Sequence, residues 1–279
     1  MVNPAYALTA ALIWAFSPIY YRGFLAKFDI PSFNLLRTAT ASLVLFLPAI
    51  YYWGDAGLGF AVLSGVVTLA CGDSLFLFSV RETGASVAAP VVYTYVLMIQ
   101  LAGVALGQVV PYANVVAAVM VVAGVYILSR GGGGKPRLKG IALAISAGVL
   151  WTIGQELIQA STNAGGNFIV VTFTRNAAAA LALGAVFLLT RRGRTWPRGL
   201  GFGYYGFVLA VIVSDLVVGS ILFVYSISTI GVALTVILTS LSPLLTQVFA
   251  RALGKESPSP RDYAGGVLIV AALVIAVAF

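Results

Sequence analysis

The chain has no histidine, a single cysteine, and only 9% charged residues among its 279. Without imidazole there is no Ser-His pair, no histidine base and no ordinary zinc site, and Cys71 alone forms no internal disulfide. The glycine-rich stretch GGGGKPRLK lacks both the spacing and the hydroxyl of a nucleotide-binding loop, which argues against internal ATP use. Charge is absent over long blocks: no Asp, Glu, Lys or Arg occurs from Thr83 to Ser129, from Leu216 to Ala250, or from Tyr263 to Phe279.

What remains is apolar. Hydrophobic residues make up 61% of the chain and the mean hydropathy is +1.03, more apolar surface than one water-soluble core can bury. These values predict an all-α integral membrane protein. The opening MVNPAYALTAALIWAFSPIYY has no basic residue before Arg22 and no small-residue cleavage pattern, so it is expected to be a retained helix. A spanning helix needs about 20 residues. Turn and charge signals at FDIP, WGDAG, RETG, GQVVP, RGGGGKPRLK, TNAGG, RRGRTWPR, STIG and GKESPSPR divide the chain into ten predicted transmembrane helices, near 3–21, 32–53, 58–80, 85–107, 112–129, 139–161, 167–190, 202–228, 232–252 and 262–279.

The chain also repeats itself. ALIWAF returns as GVLWTI, LLRTATAS as FTRNAAAA, and ACGDSLFLFS as VVGSILFVYS. The expected domains are a first five-helix repeat at 1–130, a Gly-rich cytoplasmic linker at 131–138 and a second repeat at 139–279. The second match has an offset of 138 and the third 147, which puts nine extra residues in the loop around RRGRTWPR, sets Asp73 opposite Ser220 and leaves Asp215 without an acidic counterpart. All basic residues other than Arg37 and Arg175 fall at odd-numbered loops. By the positive-inside rule those loops are cytoplasmic and both termini are not. With five helices per half, equivalent loops then lie on opposite faces, as an inverted-topology repeat requires. The net charge of +8 is read as membrane orientation, with no nucleic-acid partner, because no basic residues interleave with aromatics on a polar segment.

The Ala-rich helices LIWAF and VLWTI that open each repeat, the early Arg37 and Arg175 in each second helix, the runs GASVAAP and GVALTVILTSLSP, and the closing LGKESPSPRDYAGGVLIVAALV together resemble the drug/metabolite transporter superfamily, specifically its EamA-type ten-helix members. The resemblance covers the whole chain on loose motifs. This sequence departs from the pattern at Gln108, where an acid is usual, and at Lys255 before Glu256. Family members are generally drawn with cytoplasmic termini, the reverse of what the loop charges indicate. The resemblance implies export of small metabolites such as amino acids.

An ionised group in hydrocarbon costs roughly 2.5 to 3.5 kcal/mol on insertion scales unless paired or hydrated. Arg37 and Asp73 are expected at similar depth, ~8 to 10 Å from the odd-loop side, and are candidates for a structural ion pair. Glu156 and Arg175 repeat the coincidence from the other side, but Glu156 also belongs to a polar helical stripe with Thr152, Gln155 and Gln159. Thr235, Thr239, Ser242 and Thr246 share one face of the ninth helix, as hydrogen-bond glue or as substrate contacts. Ser86, Pro90, Tyr93, Gln100 and Gly107 form a smaller face in the fourth, and Pro90 and Pro243 can open the backbone beside a cavity. Trp14 and Trp151 lie mid-span, where each indole N–H needs a partner in the core or in a pocket wall.

Asp215 sits near the bilayer midplane with no cation at its own depth, though a long arginine could reach it. It is either bonded to hydroxyls of the ninth helix, bridged to Arg175, or a carrier of protons or of a cationic substrate group. The sequence thus predicts a secondary transporter in the cell membrane, working by alternating access on a small-molecule substrate, with protons as a coupling ion and with no cofactor or metal. Asp215, Glu156, Gln155, Arg175, Trp14, Trp151, Tyr93, Gln100, Thr239 and Ser242 are its candidate substrate or coupling residues. A channel, a lipid scramblase and a membrane-embedded enzyme are the alternatives, the last without a supporting catalytic motif.

Overall fold

The computed structural model of the protein describes residues 3–83, 88, 91–128, 138–190, 201–252 and 260–278. The expected linker up to residue 137, the RRGRTWPR loop, residues 253–259, Ser86 and Pro90 lie outside these.

Every described element is helical. The helices are α1 (Ala5–Leu25), α2 (Ile30–Tyr51), α3 (continuous through Leu58–Ser64, Gly65–Gly72 and Asp73–Thr83), α4 (Tyr95–Ala105), α5 (Tyr112–Leu128), α6 (Leu138–Asn163) and α7 (Phe168–Thr190). They continue as α8 (Phe202–Ile212, Val213–Gly219 and Ser220–Ile230), α9 (Val232–Thr239 and Ser242–Ala252) and α10 (Pro260–Ala278). Ile30–Tyr51, Leu58–Glu82, Leu138–Asn163, Phe168–Leu189 and Phe202–Ile230 are long and apolar enough to cross a membrane, and Tyr95–Ala105, Tyr112–Ile127, Val232–Thr246 and Ala264–Ala278 are shorter apolar stretches. Leu43 and Leu47 on α2 and Leu181 and Leu189 on α7 are more than 70% exposed, which water would penalise and lipid does not.

Local chemistry explains the breaks. At FDIP the Asp29 carboxylate accepts the Ser32 N–H at 3.1 Å, and Pro31 fits a first turn that needs no donor. Between α8 and α9 the chain turns at Gly231 with φ +80°, a conformation open to glycine. Inside α9, Pro243 has no N–H for the Thr239 carbonyl; the helix breaks at Ser240 and the Ser242 hydroxyl donates to that carbonyl at 2.7 Å instead.

The two halves interleave. α3 packs along α6 and α7, α8 packs along α1 and α2, α2 lies on α7, and α5 on α10. Hydroxyl contacts fix two of these directions. Ser64 and Ser79 on α3 donate to the carbonyls of Gly154 and Gly140 on α6, and Ser161 on α6 donates to that of Gly57, so the two helices are antiparallel. Ser242 and Thr246 on α9 donate to the carbonyls of Ala11 and Ala15 on α1, so those helices run parallel. Both α3 and α8 carry a wide π-helical turn halfway, Gly65–Gly72 and Val213–Gly219. Such turns disturb the regular ladder and re-aim side chains.

Candidate functional site

The glycines that close the two wide turns let tryptophans of the other half approach. A Cβ on Gly219 would lie 2.6 Å from Nε1 of Trp14, and one on Gly72 would lie 2.7 Å from Cδ1 of Trp151. Trp14 then donates its N–H to the main-chain carbonyl of Asp215 at 3.2 Å, and Trp151 donates to the Asp73 carboxylate at 3.1 Å. The acceptors differ because the residue after Gly72 is an acid and the one after Gly219 is Ser220.

Between these contacts lies a buried charged cluster. Arg37 reaches Asp73 with Nη1 at 3.3 Å and Asp215 with Nη2 at 3.2 Å. The Tyr21 hydroxyl donates to the same Asp215 oxygen, and its ring lies 4.9 Å from the guanidinium carbon. Asn34, one turn before Arg37, accepts from Nη1 at 3.2 Å and is itself held by the Leu69 carbonyl at 2.8 Å. Arg37 and Asp215 are each only 6% exposed. Two carboxylates share one guanidinium, so with both ionised the cluster carries one surplus negative charge. A proton or a cationic group would cancel it.

The expected proximity of Arg37 and Asp73 is therefore present, and the long side chain of Arg37 also spans the depth to Asp215. Asp215 touches neither α9 hydroxyls nor Arg175 among the described residues. Tyr21 and Asn34 are the members that sequence reasoning missed. Tyr21 follows Trp14 by seven residues, two helical turns along the same face, and that periodicity was the available signal.

Arg175 is found elsewhere, with its Nε donating to Ser64 at 2.9 Å. Glu156 is not its partner: Glu156 accepts from Gln108 at 2.8 Å, in the turn between α4 and α5. Gln159 accepts the Val232 N–H at 2.8 Å and so caps α9 from another helix. Gln100 donates to the Ala233 carbonyl at 3.0 Å, while Gln155 is buried with its carbonyl oxygen unbonded. Tyr93 and Tyr95 face Ser242 and Thr239, and Tyr95 meets the Trp151 ring edge-on at 5.5 Å. An aromatic and hydroxyl-lined zone thus adjoins the charged cluster through Trp151.

The sequence model of the EamA-like transporter family matches residues 4–130 and 138–278, two stretches that together cover nearly the whole chain. The protein belongs to the EamA-like transporter family. It is therefore a multi-pass membrane protein, built from two stretches that each match the same family. An "Uncharacterized transporter" of Archaeoglobus fulgidus is 29% identical over 160 residues, covering 55% of this chain and 57% of that relative, so the match spans little more than half of the relative's length. A protein crystal structure superposes with a TM-score of 0.83 at 19% identity, over 98% of this chain and 97% of that one, a likeness of fold alone. Within this EamA-like family member, the charged cluster is the point where four helices from both matched stretches, α1, α2, α3 and α8, meet on ionisable groups.

Proposed function

We propose that the protein is a secondary transporter that moves a small metabolite out of the cell by alternating access, with Asp73, Arg37 and Asp215 as its coupling centre. The observation that supports this most is that two carboxylates from different halves, Asp215 buried and Asp73 nearly so, are bound to one arginine, which leaves one surplus negative charge when both are ionised. A carrier must change charge or partners at a site that both halves touch. Here a proton, or a cationic group of the substrate, would release Arg37 from one acid and loosen α2 against α8. The antiparallel contacts of α3 with α6 favour an inverted arrangement of ten spans, in which the halves rock about the central charges. The basic residues of the odd-numbered loops support placing those loops in the cytoplasm and the termini on the other side.

Asp215→Asn tests the reading, since it keeps shape and hydrogen bonding while removing ionisation. In proteoliposomes the variant should fold, lose uphill transport driven by a proton gradient, and keep exchange that no longer responds to pH. Unchanged gradient-driven transport would overturn the role of Asp215 and turn attention to Glu156. Saturable counterflow separates a carrier from a channel or scramblase.

A further inference from the structure

The proposed carrier has a second buried arginine, and its surroundings are the reverse of those of Arg37. Arg175 is 3% exposed, yet its Nε bond to Ser64 is its one hydrogen bond among the described residues, and no carboxylate there lies within ion-pair distance. Asp73, whose charge acts on it at longer range, is already held by Arg37 and Trp151. A buried guanidinium without a counter-ion is costly.

The helix that anchors Arg175 carries a further hydroxyl four residues beyond Ser64. The Ser64 hydroxyl donates to the Gly154 carbonyl while accepting from Arg175, which fixes the base of the guanidinium. One turn along α3, Thr68 lies against the Cα of Gly154, 3% exposed, and its hydroxyl has no partner. Gly154 is what admits that hydroxyl, because a Cβ there would overlap it. The offset that pairs Asp73 with Ser220 also pairs Asp215 with Thr68, so a donor stands where the other half has its acid.

We infer that Arg175, with Thr68 four residues along α3 from its Ser64 anchor, binds the carboxylate of the transported substrate. One unit of positive charge and one neutral donor match a carboxylate monoanion. A phosphate, with close to two negative charges at neutral pH, would call for further cations, and none neighbours Arg175 among the described residues. The inference rests on the carrier reading and names the substrate class for it.

The test is binding to detergent-purified protein of glycine, alanine, leucine, phenylalanine, glutamine, lactate and benzoate, each beside its primary amide. At least one acid should bind at least tenfold more tightly than its amide. Arg175→Gln should weaken that acid by tenfold or more, Arg175→Lys by less, and Thr68→Val several-fold. No acid surpassing its amide, or equal binding by Arg175→Gln, overturns the inference. If Arg175→Gln yields no folded protein, Thr68→Val decides, and unchanged affinity in it overturns the inference. Counterflow in liposomes separates the two readings. Binding of the acid without counterflow leaves the role of Arg175 standing and sinks the carrier; counterflow confined to the amides does the opposite.

Discussion

Arg37 and Arg175 occupy matching positions in the two halves, each eight residues into its helix and each reaching the third helix of the other half. Arg37 meets two carboxylates, a phenol and an amide; Arg175 meets one hydroxyl. A duplicated scaffold has delivered the same cation twice, and the residues opposite it have diverged. The difference lies on the third helices, where Asp215 and Thr68 correspond, and it makes one arginine the centre of an ion-paired network and leaves the other without a carboxylate in reach among the described residues.

The sharpest break of this comparison is to remove each arginine. Arg37→Ala strands the buried Asp215 and the nearly buried Asp73, and should cost about 3–5 kcal/mol, read as loss of folded yield in detergent. Adding Asp73→Ala should restore part of it. Arg175→Ala removes one bond from a serine that keeps its carbonyl partner, and should cost about 1–2 kcal/mol. Equal losses would show that Arg175 has a partner as strong as those of Arg37.

A second experiment makes the halves alike. Thr68→Asp sets an acid where the other half has Asp215, and should pair with Arg175. A double-mutant cycle with Arg175→Gln should then show a coupling of about 2–3 kcal/mol in thermal unfolding, with binding of carboxylates abolished. A coupling near zero would mean that position 68 does not face the guanidinium.

Smaller effects follow at the shared features. Gly72→Ala and Gly219→Ala each push a methyl into a tryptophan, a strain of about 1–3 kcal/mol set against the roughly 1 kcal/mol by which alanine favours a helix. The two should lower the melting temperature by similar amounts, and a large inequality would show that only one contact is tight. Smallest is Gln159→Leu, which uncaps α9 at Val232 and should cost about 1 kcal/mol or less by the same measurement.

Much of the fold was legible in the sequence, because a membrane leaves few options: apolar blocks, charged loops and turn residues located most of the helices to within a few residues, and the repeats were visible as words, but the fourth span, expected over 85–107, is broken by a turn at Tyr93 and Thr94 and its described helix begins only at Tyr95. The partners of buried groups were harder. Depth along a helix was estimated from residue counts, which set Arg37 beside Asp73 correctly but treated side chains as points, so the reach of Arg37 to Asp215 was left as one option among several. Glu156 and Arg175 share a similar depth on neighbouring helices yet face different ways, and rotation about a helix axis is poorly fixed when apolar residues cover most of its surface. Tyr21 was overlooked because aromatic residues near a helix end are ordinary at a membrane boundary.

The interleaving of the halves also constrains biosynthesis. Arg37 and Asp73 both lie within the first 83 residues, so the hairpin of α2 and α3 can enter the bilayer with its two charges paired before the second half exists. Asp215 emerges more than a hundred residues later and joins a guanidinium that is already in place. Arg175 needs Ser64, from a helix made long before it. A ribosome stalled after residue 130 would therefore hold a half whose third helix still lacks α6 and α7, the helices that cover it, and the nascent chain has to be kept from other membrane proteins until they arrive.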